Sequence, residues 1–174
     1  MVAALYVAEG IPAGIFHDLV QVWLLEAHGA SLTELGLISL LAMPWTFKAL
    51  WSPLVDRTGT AARWISGAML AVGLVTVALP FLPPGLPVWA MLGMLTTASA
   101  TADVAIDGYT ATVVPPALHG RVNGWRVAAY RAAMLVCGGG AVAAAAWFDW
   151  RLIFGAVGVA TCGLAVWARR LPVV

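Results

Sequence analysis

Leu86–Pro116 reads LPVWAMLGMLTTASATADVAIDGYTATVVPP. It is a long apolar run that carries two acids, Asp103 and Asp107, and stops at Pro115-Pro116. The four-residue spacing puts both carboxylates on one face of a helix. A charge near the bilayer centre costs about 2.5–3.5 kcal/mol on insertion scales, so such residues face a bundle interior or a wet cavity. The surrounding composition decides that the solvent is lipid. Of the 174 residues, 62% are hydrophobic and only 10% charged, with a mean hydropathy of +0.93. Globular domains carry roughly 25% charged residues, so the chain reads as an integral, all-α membrane protein.

A spanning helix needs about 20 mostly apolar residues. Working outward from the opening stretch, six such segments are expected, at about 2–25, 35–54, 64–82, 86–113, 123–147 and 151–166, forming a single transmembrane bundle. Proline, glycine and the few charges punctuate them. Arg57, Arg63, Arg121, Arg169 and Arg170 flank one side of the array and only Arg151 the other. The positive-inside bias then puts both termini in the cytoplasm. The formal net charge of +1, without a basic run, offers nothing to nucleic acid. Cys137 and Cys162 lie in apolar segments and imply neither a disulfide framework nor a metal site. The N-terminus lacks the positive region of a signal peptide.

The charges left inside the spans are the candidate site. Counting outward from a turn near Leu118, Asp103 comes level with about Arg131 and Asp107 with about Arg126, which predicts two cross-helix ion pairs or one network. Such pairs can be a structural clamp. They can also carry protons, because a carboxylate in low dielectric holds its charge only while a cation stays beside it. Glu9 precedes Gly10-Ile11-Pro12, where the first span is expected to kink or unwind, since Pro12 has no N–H to donate. Broken helices at membrane depth line cavities, so Glu9 is a ligand or proton site, or a plug for freed backbone groups. Lys48 is expected to point inward, toward an acid such as Glu9. Asp18 and His17 are expected to meet water near the outer face. Tryptophans near span ends, Trp45 among them, read as an interfacial belt, and the glycines of the last two spans as close helix approaches.

Several motifs together resemble the AmpG-type muropeptide permeases, in the peptide–acetyl-coenzyme A transporter branch of the major facilitator superfamily. They are Glu9–Pro12, Ser31–Arg57, the Asp-x-x-x-Asp-Gly-Tyr stretch Asp103–Tyr109, Gly120-Arg121-Val122-Asn123, and Tyr130-Arg131-Ala132-Ala133-Met134-Leu135. The loop Ser52–Ala61 resembles the superfamily's cytoplasmic signature at Asp56, Arg57 and Gly59 but lacks its leading glycine and closing basic pair. The resemblance implies a cytoplasmic gate at Asp56, Arg57 and Gly59, and a substrate and proton site at Glu9, Lys48, Asp103, Asp107, Arg126, Tyr130 and Arg131. It also implies a bilayer-embedded N-terminal six-helix half that moves a polar or anionic small molecule inward with protons. No cofactor beyond the proton gradient is called for. Six spans are one half of such a transporter, so a second six-helix half is the expected partner, in an inner (cytoplasmic) membrane.

Two other classes compete. A non-transporting assembly or scaffold protein could use the same half-fold. A membrane enzyme fits less well. A phosphatidyltransferase would need further acids after Asp107-Gly108, and an intramembrane aspartyl protease would need its two acids on different helices.

Overall fold

Proline decides where the rods of this chain break. The computed structural model describes residues 1–172, and those residues form helices and turns with no strand. Helix α1 (Val2–Gly14) stays α-helical through Pro12, a π turn covers Ile15–Leu19, and α2 (Val20–His28) ends at Gly29, whose left-handed φ of 62° closes it. Of the kink or unwinding expected at Gly10–Pro12, the unwinding is corrected: the winding changes only at the π turn that begins three residues after Pro12. Packing explains why. Gly10 and Gly14 lie flat on the backbone of a neighbouring helix, and a Cβ at Gly14 would stand 2.6 Å from the Met134 carbonyl oxygen. That contact holds the segment wound although Pro12 gives no hydrogen bond.

The real break lies in the next rod. Helix α3 (Leu32–Ile38) opens on a capping box, in which the Glu34 N–H donates to Ser31 Oγ at 3.2 Å and the Ser31 N–H to Glu34 Oε2 at 2.8 Å. The Ser31 N–H, and then the Ser31 hydroxyl, donate to Glu34 Oε2 and hold that carboxyl below its ordinary range. A 3₁₀ turn (Ser39–Ala42), α4 (Met43–Phe47), a second 3₁₀ turn (Lys48–Leu50) and α5 (Ser52–Arg57) follow. One continuous helix over 35–54 was the expectation. Pro44 and Pro53, each in the first turn of a new helix, restart the rod twice because neither can donate to the turn before it.

The remaining rods are more regular. They are α6 (Ala61–Ala78), α7 (Leu86–Val113), α8 (His119–Leu135) with a π turn (Val136–Gly140) leading to α9 (Ala141–Ala144), and α10 (Trp150–Ala168). Thr60 and Asp149 cap α6 and α10 with side-chain oxygens. Helix α6 lies between α7 and α10, while α1 packs on α8 and α7, and α4 and α5 lean on α7. Two apolar clusters fill the interior, one around Phe16, Trp23, Leu92 and Phe154 and one around Leu5, Met69, Ile106 and Ala165. Among the described residues, three helical stretches, Ala61–Phe81, Pro116–Ala144 and Trp150–Ala168, are long and apolar enough to cross a membrane. Leu74, Leu152, Val159 and Val166 stay exposed on their outer faces, as lipid-facing side chains must.

The α6–α10 crossing is set by small residues. A Cβ on Gly73 would meet Cys162 Sγ at 2.5 Å and the Gly158 carbonyl oxygen at 2.8 Å, whereas one on Gly93 would meet open space. Gly73→Val is expected to lower the detergent melting temperature by the equivalent of about 1–3 kcal/mol of overpacking. Gly93→Ala should leave it unchanged or raise it. A thermal melt of the purified variants checks both.

Candidate functional site: an alternating ion chain beside a cavity

Helices α1, α7 and α8 and the 3₁₀ turn after α4 converge on five charged side chains. Arg126 on α8 reaches Asp107 Oδ1 with Nη1 at 3.0 Å and Glu9 Oε1 with Nη2 at 3.4 Å. Lys48 Nζ stands 3.7 Å from Asp103 Oδ2 and 3.7 Å from Asp107 Oδ2. The order in space is Glu9, Arg126, Asp107, Lys48, Asp103, so acid and base alternate along the row. Glu9 and Asp103, the two ends, are buried at 7% exposure each, while the three central groups are partly open. At 3.7 Å Lys48 is beyond hydrogen-bond range and acts by charge alone. Glu9 Oε2 and Asp103 Oδ1 find no hydrogen-bond partner among the described residues. The guanidinium carbon of Arg126 also sits 4.7 Å from the Tyr6 ring centroid, a cation–π contact that holds its plane in place.

The expected pairs are borne out in part. Asp107 meets Arg126 as the hairpin count implied. Asp103 does not meet Arg131; Lys48 takes that place, and Arg126 rather than Lys48 reaches Glu9. Two causes combine. Arg126 and Arg131 are five residues apart, which turns them about 140° from each other at 3.6 residues per turn, so one helix cannot aim both at α7. The restart at Pro44 meanwhile carries the Lys48 turn against α7.

Arg131 instead lines a cavity of about 440 Å³ together with Glu9, Asp103, Arg126 and Tyr130. Its other wall is aromatic: His17 stacks on Trp45 with ring centroids 5.7 Å apart and planes at 25°. Trp45 is held by donating from Nε1 to Ser99 Oγ at 3.1 Å. The sequence reading missed this wall, taking Trp45 for an interfacial belt; His17 is exposed as expected, and its exposed face borders the cavity. The available signal was Trp45 lying one residue after Pro44 and three before Lys48, hence on the lysine's side of the break. A second cavity of about 330 Å³, lined by Tyr6, Asp107, Thr110, His119, Asn123 and Arg126, lies beyond the row. Arg126 borders both.

Asp56 and Arg57 lie at the exposed end of α5 and form no ion pair among the described residues. The Asp56 carboxylate faces Gly108 of α7, where a Cβ would stand 3.6 Å from Oδ1. Gly59 takes a φ of 73° in the turn that follows, and the Trp64 indole donates to the Thr58 carbonyl across it.

Residues 3–174 match the Major Facilitator Superfamily. The chain belongs to that superfamily. It is thereby a multi-pass membrane protein of a transporter family rather than an enzyme family, and the AmpG-like character holds at the level of sequence. The chain is 30% identical over 153 residues to the anhydromuropeptide permease of Escherichia coli (strain K12), covering 83% of this chain and 31% of that one. It is 28% identical over 165 residues to an uncharacterized protein of Haemophilus influenzae, covering 90% of this chain and 38% of that one. This superfamily chain thus spans about a third of the length of the curated relatives it matches.

Removing Lys48 leaves Asp103 and Asp107 facing each other with Arg126 as the remaining cation. Lys48→Met is expected to destabilise the protein by about 1–3 kcal/mol, below the full cost of breaking a fully buried pair because Lys48 is partly open. Adding Asp103→Asn should recover at least half of that loss. Melting of the single and double variants in detergent checks the sign, and a double variant weaker than the single one would contradict the pairing.

Proposed function

We propose that the chain forms one six-span half of a proton-coupled permease for polar, anionic solutes. Sugar–peptides of the anhydromuropeptide type are the first candidates. The observation that carries the proposal is the alternating row at the cavity wall, with three acids held by two bases and with Arg131 beside it, in no ion pair among the described residues. One proton on the row brings those five groups to neutrality, so a proton has a reason to reside there. A cavity of about 440 Å³ is within the range of small-molecule sites.

The chemistry follows from competition for the guanidinium groups. An arriving carboxylate or phosphate takes bidentate bonds from Arg131 and Arg126. Drawing Arg126 away leaves three acids against Lys48 alone, and the row takes up a proton at one of its buried ends, Glu9 or Asp103, where the penalty on charge is greatest. Release of the solute returns Arg126 to the acids and expels the proton. Tyr130 supplies a hydroxyl at the cavity wall, and the His17–Trp45 pair supplies a flat apolar face for a ring. Binding sites in this superfamily lie near the midplane between two repeat halves, so a second six-helix half completes the cavity. The arginine bias supports cytoplasmic termini, and the likeness to a bacterial permease supports an inner-membrane location. Asp56, Arg57 and Gly59 serve as the cytoplasmic gate, the carboxylate of Asp56 lying against α7.

The test is uptake of a labelled anhydro-disaccharide peptide into right-side-out vesicles expressing the chain, alone and with the coding sequence that follows it. Accumulation that collapses with a protonophore is expected. Asp103→Asn should abolish gradient-driven accumulation yet leave solute exchange at equal concentrations, and Arg131→Gln should raise KM at least about tenfold. Exchange lost together with accumulation in Asp103→Asn would make that residue structural. No uptake with either expression format would favour a scaffold role.

A further inference from the structure

On the side of the bundle away from the ion row, α6 and α10 pack on each other, and the start of α6 meets the end of α10. A cavity of about 610 Å³ opens there, lined by Thr60, Arg63, Ser66, Gly67, Arg169 and Leu171. Two guanidinium groups from different helices border it. Arg169 is fixed in place by donating from Nε to Ser66 Oγ at 3.1 Å, across a sequence separation of 103 residues. Its terminal nitrogens remain available. Among the described residues neither Arg63 nor Arg169 forms an ion pair. Two arginines at one cavity, one of them held in place and neither compensated among the described residues, make a poor clamp and a good anion receptor.

We infer that this cavity is a binding site for the headgroup of an anionic phospholipid. Its level and surroundings select lipid as the source of the phosphate. Trp64 follows Arg63 directly and Trp167 precedes Arg169 by two residues, on the same two helices and packed on the apolar core, the placement of aromatic residues at headgroup depth. Below Arg63, exposed Gly67 and Leu74 continue down the same face of α6 at four- and seven-residue steps and form an apolar stripe for an acyl chain. Gly67 has no side chain to close the way between headgroup cavity and stripe. Basic cavities between spanning helices near the membrane surface are built for such headgroups. The site shares no lining residue with the ion row, so its occupancy bears on how the α6–α10 pair is anchored and not on the proposed transport chemistry.

Native mass spectrometry of the purified full chain, with phosphatidylglycerol or phosphatidylcholine added in detergent, tests this directly. Phosphatidylglycerol should be retained preferentially, and Arg63→Gln with Arg169→Gln should cut that retention roughly thirtyfold, the effect of two interfacial basic groups. Arg151→Gln, at the opposite end of α10, should leave it unchanged. Ser66→Leu, which fills the cavity and keeps both charges, should also weaken retention. Should the double variant fail to fold, this variant carries the test. Equal retention of the two lipids, or retention unaffected by Ser66→Leu, would overturn the site. Displacement of phosphatidylglycerol by millimolar inorganic phosphate would reassign it to a free anion and overturn the lipid source.

Discussion

Charge held in a medium that does not solvate it is the constraint from which the rest of this molecule follows. Glu9 and Asp103 are nearly sealed from solvent, yet each has a cation either beside it or one step away. Removing water strengthens every attraction in the row and every penalty for leaving a member alone. Four separate segments must therefore meet at one place: α1 with Glu9, the turn after α4 with Lys48, α7 with two acids, and α8 with Arg126. A row so assembled specifies the relative placement of those segments more sharply than interchangeable apolar contacts could. It is also easily disturbed, since its longest contacts, at 3.7 Å, rest on charge without a hydrogen bond.

The broken second rod makes that convergence possible. A continuous helix would carry Lys48 wherever the helical period sent it. Pro44 and Pro53 interrupt the hydrogen-bond ladder twice, and the short segment between them can turn its lysine to α7 and its tryptophan to His17. Irregular backbone at membrane depth is tolerated where it borders a cavity, and here the cavity and the break share Trp45. Charge, aromatic wall and unpartnered carboxylate oxygens thus come to one surface through one backbone device.

The opposite layer obeys different physics. Helices α6 and α10 touch through glycines, with Gly73 and Gly158 letting backbones come close where lipid offers no hydrophobic drive for association. That pair carries no charge along its middle and keeps its arginines for the ends. The division between a polar layer and a tightly packed apolar one explains how a chain with 10% charged residues concentrates most of its buried charge in a single row.

Composition and spacing alone established a helical membrane protein, because 62% hydrophobic residues leave no other solvent possible and a four-residue step must bring Asp103 and Asp107 to one helical face. The motif order from Glu9 to Leu135 was enough to indicate the superfamily. The Asp107–Arg126 contact was legible too, since a hairpin turn fixes which residues lie level. What lay beyond reach was azimuth. Whether Arg131 or Lys48 answers Asp103 depends on how far each helix rotates about its axis and where a proline restarts it. Those angles are set by glycine contacts such as Gly14 on the backbone at Met134, between residues 120 positions apart in the chain. Local sequence determines which residues can share a face; only the packed bundle decides what that face meets.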